Sequence, residues 1–229
     1  MRVSIFARKF ACYMLGLVFI SIGINLSKMS GLGISPISSV PRVCELVWGF
    51  TLGTTIMIIY IFLVLLQLLL LRRNFEWRNV LGILLSVVFG TLVDFFGIDP
   101  NAVGHLMLGF PRPGNYVMRF IYTVLSAGII GLGVFLYLRP KWIPMPAEGL
   151  ADAISRTFNK TFGDCKSVVD TTMITLAFLL QFIFLGGFGS FSGPQIAVRE
   201  GTIILAIAVG QTVKFIARRY GEKLDILIN

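Results

Sequence analysis

The chain has 229 residues, of which 56% are hydrophobic and 14% charged, with 20 basic residues against 11 acidic ones and a net charge of +9. Its mean hydropathy of +0.85 excludes an ordinary soluble domain and defines an integral membrane protein, whose first partner is the lipid bilayer. The basic residues are scattered between apolar runs and not gathered into a patch, so they report membrane orientation and give no ground for nucleic acid as a partner.

In chain order, the first uncharged run covers 10–27, behind Arg8 and Lys9. A basic start before an apolar run also opens a signal peptide, but no small-x-small cleavage site follows and further apolar runs do, so it reads as a retained span. Next comes GLGISPISSVPRVCELVWG, Gly31 to Gly49, too broken to cross a membrane and too apolar for a polar loop. Ser35 and Pro36 form a helix start, with a hydroxyl at the cap and proline at the first helical position. The predicted helix over 36–48 is about 20 Å long, short of the roughly 30 Å hydrocarbon core, so it is a broken amphipathic element and not a span. Spans at 54–71 and 79–96 close a first unit, 1–97. An outer loop, 98–118, leads to a second unit, 119–229, with spans at 119–138, 167–188 and 201–217 and a short helix over 146–159 that again opens on proline. The fold class is all-α integral membrane with six transmembrane helices.

With the N-terminus inside, Arg2, Arg8, Lys9, Arg72, Arg73, Arg78, Arg139, Lys141, Arg156, Lys160, Lys166, Arg218, Arg219 and Lys223 fall on the inner side. Lys28, Arg42, Arg112, Arg119 and Arg199 fall on the outer side or its edge. This bias follows the positive-inside rule and puts both termini in the cytoplasm.

One fixed offset relates the two units. A shift of 110 residues lays Gly23 on Gly133, Pro36 on Pro146, Val40 on Leu150, Thr51 on Thr161 and Gly53 on Gly163. The last spans align at 120, GTLVDF from Gly90 on GQTVKF from Gly210, with the additional residues in GGFGSFSG, Gly186–Gly193. Three spans is an odd number, so the units are inverted repeats, and in many transporters such repeats build a central site from interrupted helices near the bilayer midplane. If the segments leading into the short helices dip inward, the positive N-terminal ends of those helices face each other, a geometry suited to an anionic or strongly polar solute. Both helices lying flat at the interfaces is the alternative.

Polar side chains recur at helical spacing on both short helices: Ser35, Ser38, Ser39, Arg42 and Glu45 on the first, and Glu148, Asp152, Ser155 and Asn159 on the second, with Arg156 alongside. At membrane depth such a stripe must face protein or water, which makes it a candidate solute path. A solvated face with an Asp152–Arg156 i,i+4 pair is the competing reading. Asp170, about one turn inside the fifth span with Lys166 one turn before it, is either a gate or coupling-ion residue or a satisfied helix-end pair. The offsets also exchange charges: Arg42 corresponds to Asp152 and Asp94 to Lys214. An Arg42–Asp94 pair on the outer half and an Asp152–Lys214 pair on the inner half would tie each short helix to a span and could act as gates. Independent charges snorkelling to water are the alternative.

The GLGISP lead-in, Gly53–Thr55 (GTT), LADAIS after Pro146, the Lys166/Asp170 pair, Leu185–Gly187 (LGG) and GTIILAIAVGQTVKF from Gly201 together resemble the YczE/YitT-type family of small bacterial integral membrane proteins. The resemblance covers nearly the whole chain and implies a six-span fold in a bacterial plasma membrane, and very little about substrate. FGSFSGPQIAV, 188–198, and Arg199-Glu200 depart from its pattern, so the outer vestibule is expected to differ.

No enzyme constellation emerges, and no catalytic residue is assigned. His105 is the sole histidine and lies in the outer loop, and Gly31/Gly33 lack the strand-to-helix setting of a nucleotide fingerprint. Cys12, Cys44 and Cys165 have no ligand spacing and read as small apolar fillers, so neither metal nor cofactor is expected. Glu148 and Asp152 share a helical face without a nucleophile or metal to serve. The function expected is a small-solute transporter or channel with a central site between the repeats. A non-transporting accessory protein assisting a partner's assembly or signalling is the second reading, and a lipid-handling protein the third. A homo-oligomer is compatible with all three.

Overall fold

Proline starts, threonine caps and left-handed stops divide the apolar sequence into helices, seen in a computed structural model that describes residues 2–72, 77–99, 101–102, 104, 106–107, 109–185 and 196–228. Among these there are eight helices: α1 (Arg2–Ser30), α2 (Pro36–Trp48), α3 (Leu52–Leu71), α4 (Trp77–Phe95), α5 (Tyr116–Leu138), α6 (Pro146–Phe158), α7 (Phe162–Phe184) and α8 (Glu200–Ile228). Five helical segments, Ile5–Ser30, Leu52–Leu71, Tyr116–Leu138, Phe162–Phe184 and Glu200–Glu222, are long and apolar enough to cross a membrane, the pattern of a multi-pass membrane protein. Asn79–Phe95 is a shorter apolar helix.

The two short helices are built alike. Each has 13 residues and proline in its first turn, and each ends on a left-handed residue, Gly49 (φ 71°) after α2 and Asn159 (φ 52°) after α6. Glycine and asparagine are the residues that enter this region at least cost. The chain then restarts through a threonine cap: Thr51 accepts the Thr54 N–H at 3.2 Å to open α3, and Thr161 accepts that of Asp164 at 3.2 Å to open α7.

Packing crosses between the halves of the chain. Helix α2 lies against α7 and α6 against α3, while α1 packs along α5 and α5 along α8. At the α1–α5 contact a Cβ added to Gly133 would lie 2.7 Å from the Gly16 carbonyl oxygen and 2.8 Å from the Ile20 nitrogen, so only a residue without a side chain fits. Small residues at such crossings let apolar helices gain contact where lipid supplies no hydrophobic drive to associate. One apolar cluster draws on all eight helices, with Leu17, Val43, Ile56, Phe89, Tyr137, Ala151, Ala177 and Leu205 among its members. The exterior carries large apolar side chains such as Ile58, Leu69, Val117, Ile183 and Ile207, whereas Ser21, Asn25, Gln67, Ser126 and Gln181 are inside. Cys12, Cys44 and Cys165 are buried free thiols.

Candidate functional site

Polar anchors hold the chain where it turns into each short helix. Ahead of α2, the Ile34 N–H donates to the Ala197 carbonyl at 3.2 Å and the Gly201 N–H to that of Leu32 at 2.8 Å. Gln181 Oε1 fixes the same segment by accepting the N–H groups of Ala197 and Val198 at 2.9 and 3.2 Å. Ahead of α6, the Tyr13 hydroxyl donates to the Ile143 carbonyl and Gln67 Nε2 to that of Pro146, each at 2.8 Å. Backbone groups that a broken helix leaves unpaired are thereby satisfied inside the bundle.

The first turns of both short helices line one cavity of about 430 Å³. Ser35, Pro36, Ile37 and Ser38 contribute from the start of α2, and Met145 and Glu148 from the start of α6. The walls are apolar: Ile20 and Ile24 of α1, Ile130 and Val134 of α5, and Leu205 and Val209 of α8. Tyr60 of α3 and Phe89 of α4 also line it, their rings stacked with centroids 6.0 Å apart and planes 5° from parallel. Lys166 and Asp170 of α7 complete the lining with Lys214 of α8. A larger depression of about 500 Å³ is lined by Ser167, Thr171, Thr175, Leu179 and their neighbours on one face of α7 alone, so it is a surface groove and not an enclosed site.

Glu148 is the buried charge of the cavity. It is 9% exposed, its Oε2 has no hydrogen-bond partner, and the groups acting on it are Lys166, Asp170 and the Met145 backbone. Lys166 Nζ is bound to Asp170 Oδ1 at 2.5 Å, each side chain about a quarter exposed. Ser35 and Ser38 are joined at 3.1 Å between hydroxyl oxygens. Ser39 is buried but turned from the cavity, with its hydroxyl donating to the Pro36 carbonyl at 2.6 Å.

The remaining expected site residues lie elsewhere, and the two cross-helix pairs are corrected. Arg42 is ion-paired to Glu45 at 2.6 Å and not to Asp94. Asp94 instead accepts from the Thr51 hydroxyl at 2.6 Å and the Gly53 N–H at 2.7 Å, because the open first turn of α3 presents donors directly to it. Asp152 pairs with Arg156 at 2.8 Å on its own half-exposed helix face, where the i,i+4 partner is nearer than Lys214, an exposed residue at the cavity lining. Glu148 and Asp152 therefore do not act together, and the Ser155 hydroxyl donates to the Lys160 carbonyl at 3.1 Å on the exposed end of α6. His105 and Gly186–Gly193 lie outside the described residues.

Lys28, assigned by sequence to the outer side or its edge, is buried and ion-paired to both Glu45 and Asp99, the latter at 2.5 Å. With Arg42 on the far oxygen of Glu45, these residues form two cations against two anions where α1, α2 and the chain after α4 meet. Burial would raise the Asp99 carboxyl, but the Lys28 charge and hydrogen bond, the Glu45 contact and the more distant Arg42 hold it below its ordinary value. A lysine ending an apolar run gives no sign of this, since Glu45 and Asp99 reach it only in the fold. Gln67 and Gln181 do carry a sign in the sequence, since an amide inside an apolar helix itself signals an internal partner. Among the described residues no three His, Cys, Asp or Glu side chains cluster to hold a metal ion.

An all-helical bundle with apolar outer faces, two broken helices and a cavity shared by their first turns defines the class: a multi-pass helical membrane protein. The chain belongs to the family of unknown function DUF6198, whose match runs over residues 7–218. It is similar to the uncharacterized protein YyaS of Bacillus subtilis strain 168, 26% identical over 203 residues, 87% of this chain and 91% of that one. An uncharacterized protein of Haemophilus influenzae is 25% identical over 199 residues, 87% of this chain and 78% of that one. No solved structure matches.

Proposed function

We propose that the protein is a small-solute transporter or channel of the bacterial inner membrane, with six spans arranged as two inverted repeats, both termini cytoplasmic, and its site in the central cavity. The observation that carries this reading is that the first turns of α2 and α6 line the same cavity. Interrupted helices meeting at a shared internal cavity are the usual transporter arrangement. Local geometry supports the repeat: Pro36 and Pro146, Gly49 and Asn159, and Thr51 and Thr161 stand at one constant offset and play the same parts in helix start, stop and restart. Packing supports it too, since α2 lies on α7 and α6 on α3, an exchange that a two-fold relation between the halves requires. The YczE/YitT likeness belongs to this proposal and bears on the six-span fold, not on the solute.

The test is a thermal-shift screen of small solutes on purified protein, followed by uptake of the stabilising ones into liposomes. A solute should raise the melting temperature and cross the membrane, and Val209→Trp, which fills the cavity, should abolish both effects. Stabilisation unchanged by the cavity-filling variant, or the absence of flux for every stabilising solute, overturns the reading.

A further inference from the structure

Two helix N-termini opening on one cavity would by themselves favour an anion. The side chains reverse that sign. Glu148 stands in the first turn of α6, where its carboxylate already answers the positive end of that helix. Its Oε2 is left buried without a partner. Of the two ammonium groups that line the cavity, Lys166 is engaged by Asp170 at 2.5 Å, and Lys214 is exposed to solvent, so neither is a buried partner for Glu148. A buried carboxylate oxygen with no donor is costly unless a ligand supplies one.

The surroundings narrow the class of donor. Tyr60 and Phe89 line the same cavity as a stacked aromatic pair, and Phe162 adds a third ring. Glu148 and Tyr60 face the same cavity. A carboxylate beside aromatic faces in a largely apolar wall suits an ammonium group carried on an apolar body: the carboxylate takes the N–H donors and the rings attract the cation.

We propose that the central cavity binds an organic cation, an ammonium on an apolar body, with Glu148 as its counter-ion and Tyr60 and Phe89 as its aromatic contacts. This rests on the reading of the cavity as a solute site and names the solute's class. Glutamine at 148 keeps the shape and the ability to bond back to the start of α6 but removes the charge, so Glu148→Gln separates a cation site from a helix cap.

The experiment is calorimetric titration of the protein in lipid nanodiscs with three probes of one shape: phenethylammonium, neutral phenylethanol and anionic phenylpropionate. Wild-type protein should bind phenethylammonium at least tenfold more tightly than either other probe, a comparison that needs no variant. Glu148→Gln should lose at least tenfold for phenethylammonium and little for phenylethanol, while Glu222→Gln, on the exposed end of α8, should change nothing. Equal binding of phenethylammonium by Glu148→Gln, preference for phenylpropionate, or no phenethylammonium binding overturns the cation site. Selective binding without flux of any solute into liposomes keeps the cation site and overturns the transporter reading, so the two failures are distinct.

Discussion

The Thr51 hydroxyl donates to Asp94 Oδ2 at 2.6 Å and so joins the start of α3 to the end of α4. The Gly53 N–H takes the other carboxylate oxygen at 2.7 Å, and Asp94 is only 5% exposed. A buried carboxylate with both oxygens bonded at the positive end of a helix is a strong local tie. Asp94→Ala should destabilise the protein by about 2–3 kcal/mol, the scale for a charged hydrogen-bonding group, as read from unfolding in detergent. Since Arg42 is engaged by Glu45, Arg42→Asp should give Asp94→Lys no rescue. Recovery in that double variant would restore the discarded Arg42–Asp94 link.

Lys28 should be among the least replaceable charges in the chain. Lys28→Met leaves Glu45 and Asp99 facing each other in a buried setting, and breaking a buried pair on one side costs about 3–5 kcal/mol. The same cluster sets a pH dependence. The folded Asp99 carboxyl lies below its ordinary value, so its contribution is complete above the ordinary carboxylate range and is lost as pH falls through the folded value. The Asp99 contribution to the melting temperature should fall on acidification, against an opposing one from Glu45, whose carboxyl is pushed up by burial. Asp99→Asn should start lower and show a shallower acid limb. An acid limb of unchanged steepness in Asp99→Asn would remove this account.

Gly133 tests the α1–α5 crossing. Because its Cβ position lies within 2.8 Å of backbone atoms of Gly16 and Ile20, neither helix can yield by a side-chain rotation alone. Gly133→Leu should force the helices apart and cost roughly 1–3 kcal/mol or more. Gly128, whose Cβ would meet nothing within 4 Å, should accept alanine without loss of melting temperature.

The inverted-repeat proposal has a topological test that needs no solute. In a background lacking Cys12, Cys44 and Cys165, a cysteine at Gly109 should react with a membrane-impermeant thiol reagent in intact cells. A cysteine at Arg73 should be protected. Labelling at both positions would leave the two units facing the same way and end the inverted-repeat reading.

Local chemistry was the legible part of this fold. The Ser35-Pro36 start signal lies where α2 begins, and the left-handed stop falls on Gly49, because caps and stops depend on a few neighbouring residues. The cavity was legible only in outline. The N-termini of the short helices could be expected near each other, but stacking of Tyr60 on Phe89 joins α3 to α4 and has no trace in either segment alone. Charge partners were the least legible. Corresponding charges of the two units do not pair across helices: Asp94 takes the backbone and hydroxyl donors of a helix start, and Asp152 takes Arg156 one turn away. Short-range donors win such competitions because they require no further element to be ordered. The Lys28 partners were hidden for the opposite reason, since they come from α2 and from the chain beyond α4.

The exchange of short helices between the halves has a consequence for how the chain is made. Ser39, Val40, Val43 and Cys44 form much of the buried face of α2, and the long helix it rests on is α7, where the Met173 carbonyl lies 3.3 Å from the Ser39 hydroxyl. During synthesis α2 emerges from the ribosome long before α7 exists. Until then only α1 and α3 can cover part of it, and the rest must wait in lipid or against the insertion machinery. Helix α6, by contrast, finds α3 already in the membrane. The two ends of the same architecture thus assemble in different orders, and a ribosome stalled between α6 and α7 should leave α2 open to protease while α6 is already docked.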